Sequence, residues 1–164
     1  MPQSTLTKPT LTSVNHYYSS TFREAIVKNY LLAAALQETE MVVYYIEVEG
    51  LHPDTTIAGK PTAVCYAAMK ANLPLLRYLL DKGAAVNQAD ALGMTPLHYA
   101  TLGGSVLCIA MLIGRNATLN AINHAGQTPF ALAQNQTKLT LCRELLQRHG
   151  ASLHAAMPVS RRFH

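Results

Sequence analysis

The sequence predicts an all-α repeat protein, a solenoid of about four helix-loop-helix repeats. Three observations carry that prediction. Thr62, Thr95 and Thr128 follow one another at intervals of 33 residues, and so do Ala67, Ala100 and Ala133. Gly93 and Gly126, Pro96 and Pro129, and Asn87 and Asn120 repeat at the same interval. Between these landmarks the apolar residues fall at helical spacing, and a fixed period in the twenties to forties marks stacked supersecondary units.

At 164 residues the chain suits one domain and can bury roughly 70% of its unfolded surface. It is 49% hydrophobic and 13% charged, which excludes a disordered polyelectrolyte. No apolar run approaches the ~20 residues of a membrane-spanning helix, and Met1 to Ser20 shows no apolar core behind a basic cluster. Cys65, Cys108 and Cys142 are an odd set without a C-x-x-C pair. Core packing in a reducing compartment is the reading favoured over metal or redox chemistry. The formal charge of +4 is unevenly spread: Glu24, Glu38, Glu40, Glu47 and Glu49 come early, whereas Glu144 is the only acid beyond Asp90.

Residues 1–20 are rich in Ser and Thr and read as a flexible arm. Thr21 has the spacing of an N-cap with Glu24 three residues on. Phe22, Ala25, Ile26, Tyr30, Ala33 and Ala34 then follow helical spacing. Met41, Val42, Tyr44, Tyr45, Ile46 and Val48 have strand-like composition. Aligning Ala33-Ala34 with Ala67-Ala68, and Met41-Val42 with Leu75-Leu76, makes this segment the second helix of a degenerate first repeat. In the second repeat Pro74 fits the first helical turn, where its missing N–H costs little. The third repeat ends at Asn116, the next best residue after glycine for a left-handed C-cap. In the fourth, Gly150 falls one residue late, so one residue is inserted between Gln134 and Lys138. Polar Lys138, Arg143, Glu144, Gln147 and Arg148 suit the terminal cap that a solenoid needs.

The run Asp90, Gly93, Thr95, Pro96, Leu97, His98 and Ala100 matches, in order, the signature of the ankyrin repeat, which the chain resembles from about residue 22 to 154. The resemblance implies four stacked helix pairs in an L-shaped solenoid with hairpin loops projecting to one side. The boundaries it suggests are 21–57, 58–89, 90–122 and 123–156, with a short basic tail over 157–164. It also implies a non-enzymatic protein-interaction module, a scaffold or adaptor that could equally be a regulatory subunit or a bacterial effector.

His98, with Thr95 nearby and Cys108 in the same repeat, invites a nucleophilic reading. The resemblance implies instead that Thr95 and His98 bond to each other and to backbone, fixing the turn into the helix. No H-x-x-x-H or H-E-x-x-H set occurs among the seven histidines, so neither metal nor cofactor is expected.

In the family, partners meet the loop tips and the exposed positions of each first helix. By register this gives Met69 and Lys70 in the second repeat, Leu92, Met94 and Leu102 in the third, and His124 and Gln127 in the fourth. Tyr99 and Tyr66 lie beside this face, either contacting the partner or packing between repeats. Lys70 is the lone charge on it, where a phosphate-tracking surface would need several. An apolar protein segment is therefore the expected partner, with nucleic acid disfavoured. The alternative is electrostatic binding of nucleic acid or an anionic surface through Arg143, Arg148, Arg161 and Arg162. A monomer in the cytoplasm is expected, with delivery into a host cell as the bacterial variant of that expectation.

Overall fold

The computed structural model describes residues 20–134 and 136–153. Of the expected arm over 1–20, residues 1–19 lie outside them, as do Asn135 and the tail with Arg161 and Arg162, while Ser20 belongs to the first helix. Within the described residues the chain forms four antiparallel helix pairs and no strand. They are α1 (Ser20–Ala35) with α2 (Thr39–Glu47), α3 (Ala63–Met69) with α4 (Leu73–Asp81), α5 (Pro96–Gly103) with α6 (Val106–Gly114), and α7 (Pro129–Gln134) with α8 (Thr140–Arg148). The first helices α1, α3, α5 and α7 stack in one layer, and α4, α6 and α8 stack in a second.

The turns recur with the repeat. Gln37, Ala71 and Gly104 take positive φ between the helices of a pair, and Gly50, Gly83, Asn116 and Gly150 take it after the second helix. Asn116, at φ 64°, is the left-handed cap expected of it. The strand-like segment of the first repeat is helix α2. Tertiary packing overrides its propensity: Val42 is fully buried, and the Tyr45 ring meets Tyr30 edge-on at 6.2 Å. Thr21, expected as the cap of α1, lies inside the helix, which already includes Ser20. The residue inserted in the fourth repeat falls at a short 3-10 turn, Thr137–Leu139, ahead of α8.

The first-helix layer is built from small residues. Ala33, Ala34, Ala67, Ala68, Ala100 and Ala133 are all buried, which lets helix backbones approach closely. Gly103 takes this furthest: a Cβ there would sit 2.3 Å from the Met69 carbonyl oxygen of the preceding repeat. Larger residues, Leu75, Leu76, Leu79, Leu97, Ile109, Leu112 and Leu146, fill the space between the layers. All three cysteines are buried and unpaired, and burial pushes the Cys65 thiol up to about 11.

Polar side chains tie each repeat to the next. The Asp54 carboxylate accepts from the Ala85 N–H at 2.9 Å, Asn87 Oδ1 from Thr118 at 2.8 Å, and Asn120 Oδ1 from Ser152 at 2.8 Å. His98 makes a further tie. Its Nδ1 accepts from the Thr95 backbone N–H at 3.2 Å and lies 2.8 Å from Thr95 Oγ1. Its Nε2 lies 3.0 Å from the Gln127 carbonyl of the next repeat. A backbone N–H can only donate and a carbonyl can only accept, so the ring is the neutral Nε2–H tautomer.

Two predictions follow from the packing and one from the histidine. Gly103→Ala should destabilise the chain by about 1–3 kcal/mol, because the new methyl meets backbone that cannot yield cheaply. Gly114→Ala, with open space around its Cβ and an ordinary helical backbone, should stabilise by about 0.5–1 kcal/mol. Urea denaturation reads both, and equal effects of one sign would refute the close approach at Gly103. Burial holds the His98 pKa below its ordinary 6.5, so on acidification the unfolded chain takes up this proton first. The stability it contributes is therefore complete above about pH 6.5 and is lost as pH falls through the lower folded value. The urea midpoint should drop between pH 7.5 and pH 5, with a smaller drop in His98→Asn; an identical drop in both would exclude His98 as a source.

Candidate functional site

The third and fourth loop tips are each shaped by one side-chain oxygen. Asp90 Oδ1 accepts from the N–H groups of Leu92 and Met94, each at 2.9 Å. Thirty-three residues on, Asn123 Oδ1 accepts from Ala125 at 3.0 Å and Gln127 at 2.9 Å. Adjacent tips are then joined by backbone, Ala91 N–H to the Gly59 carbonyl at 3.3 Å and His124 N–H to the Leu92 carbonyl at 2.9 Å. This fixes the spacing of Leu92 and His124, which both remain exposed.

Between the tips of the third and fourth repeats and the flank of α5 lies a shallow cleft of 350 Å³. It is lined by Leu92, Met94, Tyr99, Leu102, Asn123, His124 and Ala125. Five of the eight expected contact residues thus converge on one place. Leu92 is 64% exposed at its rim and Leu102 is 38% exposed. The tyrosine is half-buried, and its hydroxyl donates to Asp90 Oδ2 at 2.5 Å. Burial, then that carboxylate, raise its pKa well above the ordinary range, so the phenol stays protonated as a donor.

Met94 departs from expectation. It is 8% exposed, not an exposed tip residue, because Asp90 Oδ1 gathers the N–H groups of both Leu92 and Met94 and folds the chain inward. Its sulfur accepts from Asn123 Nδ2 at 3.2 Å, so it forms the floor of the cleft. Met69 is half-buried and Lys70 exposed at the end of α3. Both stand one repeat away from the lining of the cleft, and the Met69 carbonyl packs against Gly103 of α5. Gln127 is exposed, but its backbone serves the scaffold, receiving the His98 ring on its carbonyl. Asn123, which is not among the expected contact residues, is both tip anchor and cleft wall.

The Thr95–His98 pair is part of the scaffold, as the motif implied, and Cys108 lies fully buried on the other helix of its pair. In the second repeat Cys65 takes the place of this histidine: Thr62 Oγ1 donates to its sulfur at 3.5 Å, and the thiol reaches the Gln88 carbonyl at 4.0 Å. Among the described residues no three His, Cys, Asp or Glu side chains form a metal-ligating group, and no helix is long and apolar enough to cross a membrane. At the C-terminal end Arg143 is half-buried and donates to the Gln134 carbonyl at 3.5 Å, while Lys138 and Arg148 are exposed.

Residues 31–123 match the family model for ankyrin repeats in three copies. Over 78 residues, 47% of this chain, the sequence is 36% identical to the human SH3 and multiple ankyrin repeat domains protein 2, of which that stretch is 4%. The family model spans more than half of the chain, and the same turn, helix pair and side-chain ties recur from one repeat to the next. The chain belongs to the ankyrin-repeat family.

Proposed function

We propose that this chain is a non-enzymatic, monomeric adaptor that recognises an apolar segment of a protein partner in the cleft around Leu92, Tyr99, Leu102 and His124. Ankyrin repeats are generally protein–protein interaction modules, which supports the class of function. The observation that carries the specific reading is the cleft itself. It combines an apolar floor and rim, from Met94, Leu92 and Leu102, with polar groups at fixed positions, from Tyr99, Asn123 and His124. Apolar lining with a few placed polar groups is the composition of a recognition site. Met69 and Lys70 extend the face toward the second repeat, and Gln127 extends it beyond the fourth tip. Three buried, unpaired cysteines agree with a reducing, cytoplasmic setting.

Leu92 and Leu102 are exposed, so charge there should leave the fold intact, whereas Met94→Glu would bury a carboxylate. Leu92→Glu with Leu102→Glu should lower recovery of a specific partner in affinity purification by about tenfold or more, with the helical circular dichroism and melting temperature retained. Unchanged recovery would exclude the cleft. Steep loss of binding between low and physiological salt, removed by Arg143→Gln with Arg148→Gln, would favour the electrostatic alternative at the C-terminal end.

A further inference from the structure

The first repeat leaves bare a face that every later repeat covers. Met41 is 42% exposed, whereas Leu75, Cys108 and Cys142 at the same register are buried. Asn29 is exposed, and its register equivalents Ala63, Pro96 and Pro129 are buried. These positions face backward along the stack. The fourth repeat has no successor among the described residues and still buries Pro129 and Cys142, so the cover comes from the repeat before. Leu36, 59% exposed, stands at the register of Gly103, the residue that closes on the Met69 carbonyl of the preceding repeat.

Here the backward face is a groove of 220 Å³ between α1 and α2, lined by Asn29, Leu32, Leu36, Glu38, Met41 and Tyr45. Leu32, Leu36 and Met41 give it three exposed apolar side chains. Glu38 is the one charged residue in this lining, and Glu40, also exposed, follows in the first turn of α2. A terminal repeat with an apolar outer face needs a cover.

We propose that this groove is covered from within the chain, by the segment over residues 1–19 that enters α1 at Ser20, and that this segment takes the place of a preceding repeat. Three observations select it. The first is reach. The groove runs along α1 from Asn29 to Leu36, roughly 14–24 Å from Ser20 at about 1.5 Å per helical residue. Chain doubling back beside α1 spans that distance in about four to seven extended residues, with two or three more spent on the turn. Val14 and Leu11 then come opposite the groove. The second is composition, since Leu6, Leu11 and Val14 are apolar residues with little but Ser, Thr, Pro and Lys between them. The third is charge: residues 1–19 carry Lys8 and no acid, which suits a groove whose charge is Glu38. A second copy docked face to face would instead set acid against acid.

The test uses the full chain. With the photocrosslinking residue p-benzoylphenylalanine in place of Leu11, illumination should join position 11 to Leu32, Leu36 or Met41 of the same molecule, read by mass spectrometry of the digested monomer. Leu11→Ser/Val14→Ser should lower the melting temperature by about 2–4 °C. Leu36→Ser/Met41→Gln, which keeps a good helix former in α2, should do the same. The four changes together should lower it no further than the larger of the two pairs, because both remove one contact. Crosslinks that avoid the groove would overturn the proposal, and so would an unchanged melting temperature in Leu11→Ser/Val14→Ser. A wild-type dimer in sedimentation that Leu36→Ser/Met41→Gln dissociates would also overturn it, by giving the face to a second copy.

Discussion

Asp54, Asn87 and Asn120 each hand a side-chain oxygen to a backbone N–H in the following repeat, at 2.8–2.9 Å. Much else depends on the register this sets. A helix pair of this size buries only one face within itself, and it becomes stable when a neighbour covers the other. The neighbour must arrive in a fixed position, because Ala100 and Gly103 of α5 admit the backbone of α3 with almost no clearance. Side-chain oxygens at a constant sequence interval hold that position, and the period of 33 residues is the primary-structure image of the constraint.

The same register shapes the surfaces on the two sides of the stack. On one side, Asp90 and Asn123 shape consecutive tips and bring Leu92, Tyr99 and His124 around one cleft. On the other, it stacks α4, α6 and α8 and leaves Leu107 and Leu141 exposed. The protein thus presents two faces of different chemistry from one rigid frame. The cleft offers polar donors and acceptors beside an apolar floor, and the outer face offers exposed leucines beside arginines.

The helix pairs and their order were legible because period and motif reinforce each other: Thr95, Pro96, Leu97 and His98 mark one turn, and Thr62 and Thr128 mark its copies. That signal was strong enough to reassign the strand-like residues of α2 and to predict the left-handed Asn116. The burial of Met94 was not legible, since its fate is decided by two hydrogen bonds to a single Asp90 oxygen. Nor was Asp54 recognisable as the first member of the Asn87–Asn120 series, because a carboxylate replaces the amide there and the first repeat lacks the motif. The role of Cys65 was hidden for the same reason: a thiol stands in for an imidazole, and only the geometry shows it turning to the Gln88 carbonyl of its own repeat.

The stand-in at Cys65 has a mechanical consequence. Where the third repeat meets the fourth, the His98 ring closes on the Gln127 carbonyl at 3.0 Å and the tips join at 2.9 Å. Where the second meets the third, the Cys65 thiol turns instead to the Gln88 carbonyl of its own repeat, at 4.0 Å, and the tips join at 3.3 Å. The helix side of that same junction sets Gly103 close against the Met69 carbonyl, with no room for a Cβ. The repeats that form the cleft are therefore fastened through tip and ring, and the junction before them chiefly where its first helices press together.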